Sequence, residues 1–222
     1  MSGRKSAPDK KTAALYLPRE AAAYLRLPES TLHGWLSPRH GEAVLVHSVS
    51  GAPHGAPRIP FVGLIEAYVL RSLRDLKLRT KTIEQAAAAV RREFGTEYGL
   101  ATKKIATDGI DIFIEYAESG DLARAHDGQR PIRETIQDYL RYIDWDECDG
   151  IAARLRLPQF PESAPVVVDP DYAWGQPVLA GSKTPLEAIV NLWKAGEPME
   201  VVAEEYELDV ETVEDLCRAA VN

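Results

Sequence analysis

The feature that most constrains the fold of this chain is a pair of short helical segments near its start, cut by prolines. Leu17-Pro18-Arg19-Glu20-Ala21-Ala22-Ala23-Tyr24-Leu25 reads as a short helix with Pro18 at its first position. Leu27-Pro28 stops it, because proline lacks an N–H and restrains the residue before it. Glu29-Ser30-Thr31-Leu32-His33-Gly34-Trp35-Leu36 reads as a second short helix, ended by Pro38. Two short helices across a tight break make a helix-turn-helix. Leu25, Leu32, Trp35 and Leu36 are its inward residues. Ser30, Thr31 and His33 point outward at the start of the second helix, where a recognition helix places its base-reading groups. Arg26, Arg39 and Arg58 are the candidates for phosphate contacts around it.

The rest of the chain is organised around this unit. Residues 1–12 are polar and basic and read as a disordered arm. Val44 to Val49 alternate as a strand does, and residues 44–60 as a whole suit a β-wing carrying Arg58. His40, His47 and His54 recur every seven residues but lack a carboxylate or thiolate at fixed spacing, so no metal site is expected. Residues 61–79 follow a helical period through Leu64, Ile65, Tyr68, Val69, Leu73 and Leu76, with Arg71, Arg74, Lys77 and Arg79 along them. Those cations form a solvated face or extend a DNA contact. A helix over 82–94 is expected to start with a Thr82/Gln85 capping box. Asp108-Gly109 between alternating runs predicts a hairpin over 103–115. A helix follows over 131–142. The acids at Asp144, Asp146, Glu147 and Asp149 lack calcium-loop spacing and read as solvated.

Three prolines in residues 157–165 suggest a stiff linker. After it, Val166-Val167-Val168 is expected to pair with Pro177-Val178-Leu179-Ala180, and Asp169-Pro170-Asp171 to form a proline-held turn. Trp174 and Trp193 are expected in core or rim packing. Thr184-Pro185-Leu186-Glu187 marks a helix start with Thr184 as cap. Pro198 to Tyr206 and Val210 to Ala220 then form a second helix-turn-helix. The expected domains are therefore the arm 1–12, a winged helix-turn-helix region 13–156, a linker 157–165 and a C-terminal unit 166–222. The fold class is mainly α with short β hairpins, α+β, with the smaller helix-turn-helix at the C-terminus.

Charge separates the two ends. Residues 1–104 carry 17 Lys and Arg against 9 Asp and Glu, a balance of +8. Residues 105–222 carry 9 against 25, a balance of −16. A polyanion is attracted to the first half and repelled by the second. The second helix-turn-helix is the extreme case, since residues 197–215 hold nine acids and no Lys or Arg. It therefore reads as a protein-binding or dimerisation surface, with Glu204, Glu205, Glu207, Asp209, Glu211 and Glu214 as its candidate residues. The alternative is that these acids only solvate the unit while apolar residues make the contacts.

Catalysis is not expected. Ser30 and Ser182 have no evident His and Asp partners, and neither Cys148 nor Cys217 sits in a catalytic signature. Gly175 to Gly181 lacks the Walker spacing, so no nucleotide or other cofactor is implied. With two distant cysteines, no secretory signal and no membrane-length apolar run, the expected setting is a reducing cytoplasm, with no membrane partner.

Two resemblances add to this reading. Residues 15–36 resemble the helix-turn-helix of the MerR and excisionase families. Val168-Asp169-Pro170, Gly175-Gln176-Pro177-Val178-Leu179-Ala180-Gly181-Ser182-Lys183-Thr184-Pro185, Trp193-Lys194-Ala195-Gly196-Glu197 and Val202-Ala203-Glu204-Glu205-Tyr206-Glu207-Leu208 resemble domain-of-unknown-function family 433. Such chains look like bacterial antitoxins of VapBC-type modules. The resemblance implies an antitoxin whose partners are the operator DNA of its own operon, a PIN-like ribonuclease toxin encoded nearby, and a second copy of the chain. The alternative is a MerR-like stand-alone regulator that senses a small molecule in residues 61–156.

Overall fold

A computed structural model of the chain describes residues 9–38, 44–53, 55–120 and 132–221. The chain divides into two units, residues 1–153 and 154–222.

The first unit is built around a helix that has almost no polar face. α1 (Pro18–Tyr24) and α2 (Glu29–Leu36) form the expected helix-turn-helix. The Leu17 N–H donates to the Glu20 carboxylate at 2.9 Å, which supports the first turn. Leu25, Leu32, Trp35 and Leu36 are buried, as their positions predict. α3 (Phe61–Asp75) buries every residue from Phe61 to Leu70, then Ser72 and Leu73. It is the core's central element, against which the flanking elements bury their apolar sides. α4 (Thr80–Phe94) lays Ala86, Ala87, Ala89 and Val90 inward. It begins at Thr80, so Thr82 is a buried residue of its first turn and not a cap.

Two expected β elements of this unit are absent as such. Residues 103–106 form a 3₁₀ turn, and α5 (Asp108–Gly120) replaces the hairpin. Ile110 and Phe113 are both buried and lie three apart, the spacing of a helix face. The small-residue face of α4 gives α5 a surface to pack on, which outweighs the β-propensity of Ile-Asp-Ile-Phe-Ile. Asp108 and Asp111 then occupy a helix first turn, where negative charge is favourable. Residues 44–49 form a loop, not a strand. Leu45 and Val46 are both buried although adjacent, which a strand's alternation does not allow on one face. Their N–H groups both donate to the Trp35 carbonyl at 3.1 Å. The wing keeps an edge contact: Tyr16 bridges Ile59, and the Val49 N–H donates to the Arg58 carbonyl at 2.7 Å.

A buried polar cluster ties this loop down. Glu66 on α3 is 0% exposed. It accepts the His47 backbone N–H at 2.8 Å, the His47 Nδ1–H at 2.8 Å and an Arg91 guanidinium N–H at 3.0 Å. Arg91 also donates to the carbonyls of Val44 and Leu45, both at 2.7 Å. Gly63 is required here, because a Cβ would stand 2.5 Å from the His47 carbonyl oxygen. His47 is thus a structural partner, and His40 and His54 lie outside the described residues. Among the described residues, no group of three or more His, Cys, Asp or Glu is placed to hold a metal ion.

Charged residues read as solvated also have structural jobs. Arg71 donates to the Leu25 carbonyl at 2.6 Å. The Lys11 ammonium lies 2.9 Å from both Asp146 and Asp149. That hydrogen bond from Lys11, with the Cys148 N–H, holds the Asp146 carboxyl below its usual value. Residues 9–12 are therefore a turn tied to the core, and the Val62 N–H donates to the Lys11 carbonyl at 3.0 Å. Residues 1–8 of the expected arm lie outside the described residues. α6 (Ile132–Leu140) and β1 (Ile143–Trp145) complete the unit.

The strands take the order β1-β2-β3-β4. The second unit opens in β2 (Ala152–Arg156), which pairs antiparallel with β3 (Val166–Val168) through Leu155 opposite Val168. Residues 157–165, expected as a linker, connect these paired strands. Leu157 and Ala164 are buried there, and the Leu157 N–H donates to the Val166 carbonyl at 2.9 Å. β3 pairs with β4 (Val178–Leu179) as the sequence predicts, with Val167 opposite Val178. α7 (Leu186–Lys194) starts two residues after Thr184, because Pro185 is held in a bridge with Val178 and serves as the cap position. α8 (Met199–Glu205) and α9 (Val210–Val221) form the second helix-turn-helix. With α7 they bury Leu186, Ile189, Val190, Val202, Val213, Leu216 and Cys217.

Candidate nucleic-acid and protein interfaces

The recognition-helix candidates lie where α2 emerges from the turn. Ser30 and His33 are exposed and Thr31 is half-buried. Arg58 and His33, 25 positions apart, are brought together: the Arg58 guanidinium donates to His33 Nδ1 at 3.2 Å. His33 Nε2 lies 3.3 Å from the Glu29 carboxylate. With Nδ1 accepting from Arg58, the neutral ring carries its proton on Nε2 and donates it to Glu29. Arg26 is exposed on the turn, in the left-handed region at φ +47°. Arg39 lies outside the described residues.

A cleft of about 440 Å³ opens beside Ser30 and Thr31. Trp35 lines its apolar part, Thr80 adds a third hydroxyl, and Arg74 and Lys77 supply positive charge. Both cations are exposed, and neither has an ion-pair partner among the described residues. Thr80 was not readable as a site residue. It reaches the cleft because Lys77 adopts φ +59° and turns α3 sharply into α4. Nothing in a Leu76-Lys77-Leu78 run announces a left-handed corner.

In the second unit Glu204, Glu205, Glu207, Asp209, Glu211 and Glu214 are all exposed. Two of them also work inside the fold. Asp209 caps α9, accepting the Thr212 N–H at 2.7 Å and the Thr212 hydroxyl at 2.8 Å. Those bonds hold its carboxyl below the usual range. Glu214 pairs with Arg218, which also reaches Asp215 at 3.2 Å. Asp209→Ala is therefore expected to lower the melting temperature by roughly 2–4 °C. Asp209→Asn, which keeps the cap, should lower it less. The cap's contribution is present at neutral pH and is lost as pH falls through the depressed folded-state value. Thermal melts of both variants at pH 7 check this, and equal losses would remove the cap as the cause.

Trp174, expected in packing, is 85% exposed. Asp169, by contrast, does form the expected turn: its side chain accepts the Asp171 N–H at 2.9 Å and the Arg154 Nε–H at 3.1 Å.

Ser30, Thr31 and His33 beside Arg58, Arg74 and Lys77 on the first helix-turn-helix, with a separate acidic helix-turn-helix unit, make this a two-part protein of the helix-turn-helix class. Residues 14–87 match the family model described as "Putative DNA-binding HTH domain", and residues 166–218 match "Protein of unknown function (DUF433)". The chain is 31% identical over 221 residues to "Putative antitoxin VapB45" of Mycobacterium tuberculosis, covering 90% of this chain and 91% of the relative. It is also similar to the crystal structure of Rv2018 from Mycobacterium tuberculosis, with a TM-score of 0.76 and 29% identity, covering 92% of this chain and 97% of that one. The chain belongs to the family of VapB-type antitoxins that join an N-terminal DNA-binding helix-turn-helix domain to a C-terminal DUF433 domain. Among the described residues, no helix is long and apolar enough to cross a membrane.

Proposed function

We propose that this protein is a cytoplasmic, non-enzymatic antitoxin that represses its own operon and neutralises a PIN-like ribonuclease encoded beside it. In this reading the N-terminal region binds operator DNA through Ser30, Thr31 and His33 on α2. Arg26, Arg39 and Arg58 hold the phosphates, with Arg74 and Lys77 extending the contact. A homodimer would match a two-fold operator. The acidic face of α8 and α9 meets the basic, RNA-binding surface of the ribonuclease.

The observation that carries the reading is the division of charge between two helix-turn-helices. One presents hydroxyls beside Arg58, Arg74 and Lys77. The other presents nine acids and no cation over residues 197–215. DNA affinity comes largely from cations that displace counterions, so only the first suits DNA.

The test is binding of the full-length chain to a duplex from upstream of its own gene, titrated over salt concentration. Arg74→Ala with Lys77→Ala should weaken binding at every sequence and reduce the salt slope by about 2, one for each lost phosphate contact. Ser30→Ala with Thr31→Ala should instead relax discrimination between the operator and unrelated DNA. A wild-type chain with no preference for its own upstream region would sink the repressor reading.

A further inference from the structure

The turn between β3 and β4 spends backbone strain to hold an indole in water. Ala173, Trp174 and Gly175 are successive left-handed residues, at φ +45°, +55° and +77°. Glycine adopts that region freely, but alanine and tryptophan do so at a cost. At 85% exposure, the Trp174 ring returns almost nothing in burial.

The turn is nevertheless braced from below. The buried Asp169 anchors its start through Arg154 and the Asp171 N–H. The Tyr172 N–H donates to the Asp169 carbonyl at 3.0 Å, the Gly175 N–H to the Tyr172 carbonyl at 2.8 Å, and the Gln176 N–H to the Ala173 carbonyl at 3.0 Å. Tyr172, 42% exposed, stands beside the indole in sequence, with the Lys183 ammonium 4.7 Å from its ring centroid. The result is a rigid aromatic ledge. A pre-ordered Trp loses little freedom on binding, and Trp and Tyr dominate the residues that carry interface energy.

We propose that Trp174 is the anchor by which the C-terminal unit grips a basic partner protein, its indole entering an apolar slot on that protein. An exposed Trp can also stack on a nucleic-acid base. The charge of its own unit argues against that occupant. Residues 154–222 hold 5 Lys and Arg against 13 Asp and Glu, a balance of −8, which repels a polyanion and attracts a cationic protein. This inference rests on the antitoxin reading, because the partner it fits is the ribonuclease proposed there.

The experiment uses full-length chains and the separately purified ribonuclease from the adjoining reading frame, with affinity, melting temperature and oligomeric state measured for each. Trp174→Ala and Trp174→Gly should each weaken binding by about 30-fold or more, the loss typical of an interface anchor. Both should melt no lower than the parent, and the glycine variant should gain, because it relieves the strained φ. Operator binding should be unchanged. Full affinity in both variants, with tight binding by the parent, overturns the proposal and leaves the antitoxin reading standing. A marked drop in melting temperature would make the indole structural and overturn it too. A dimer that becomes a monomer would reassign the ledge to a second copy of this chain. A parent chain that does not bind the ribonuclease removes the partner and overturns both readings.

Discussion

Glu66→Ala lowers the stability of the N-terminal unit by about 3–5 kcal/mol, the loss expected when one partner of a buried ion pair is removed. The carboxylate is fully buried on α3 and serves three donors from two other segments. Its removal leaves the Arg91 guanidinium, which is itself mostly buried, facing an empty site. At this chain length such a loss lowers the melting temperature by on the order of 10 °C. Glu66→Gln keeps the shape but presents an amide N–H to groups that are themselves donors, so an intermediate loss is expected. The loop held by Glu66 also donates two N–H groups to the Trp35 carbonyl near the end of α2, the proposed recognition helix. DNA affinity should therefore fall in the alanine variant even where the chain remains folded. Chemical denaturation followed by circular dichroism measures the first effect. A loss under about 1 kcal/mol would show that the cluster is surplus to the fold.

Under the proposed function, changing Glu204, Glu205, Glu207 and Glu211 together to Gln slows association with the proposed ribonuclease partner by about 10- to 100-fold at low salt, with little change in melting temperature. These four are exposed and, unlike Asp209 and Glu214, hold no helix cap or ion pair among the described residues. Removing four negative charges weakens the long-range attraction that steers two oppositely charged surfaces together. Dissociation should change less than association. Raising the salt should bring the parent and the variant together, because screening removes the same attraction. Stopped-flow association at two ionic strengths reads both quantities. Equal rates at low salt would mean that these acids only solvate the unit, and that apolar residues make the contact.

Both helix-turn-helices were legible because their signals are local. Pro18, Pro28 and Pro38 bound short helices wherever they occur, and the inward residues Leu25, Leu32, Trp35 and Leu36 follow from spacing alone. The pairing of β3 with β4 was legible for the same reason. Asp108-Gly109 misled because an Asp-Gly pair suits a turn and a helix start alike, and only the alanine face of α4 decides between them. Val44 to Val49 misled because consecutive burial of Leu45 and Val46 depends on Arg91, 46 positions away. In the candidate site, Ser30 and His33 could be placed on an exposed helix start. Their meeting with Arg58 and the cleft formed with Arg74, Lys77 and Thr80 could not.

By itself, the sequence determined the two helix-turn-helices and the opposite charges of the two ends, with a resemblance to one antitoxin family. Those properties are set by neighbours in the chain, through proline geometry, apolar spacing and formal charge. Only the tertiary structure decided that α5 is a helix, that Lys11 is spent on Asp146 and Asp149, that Glu66 is buried among donors, and that Trp174 stands in water. Each of those outcomes depends on which distant residue arrives alongside, or on how a turn is braced, and the free energy of packing is settled between segments rather than within them.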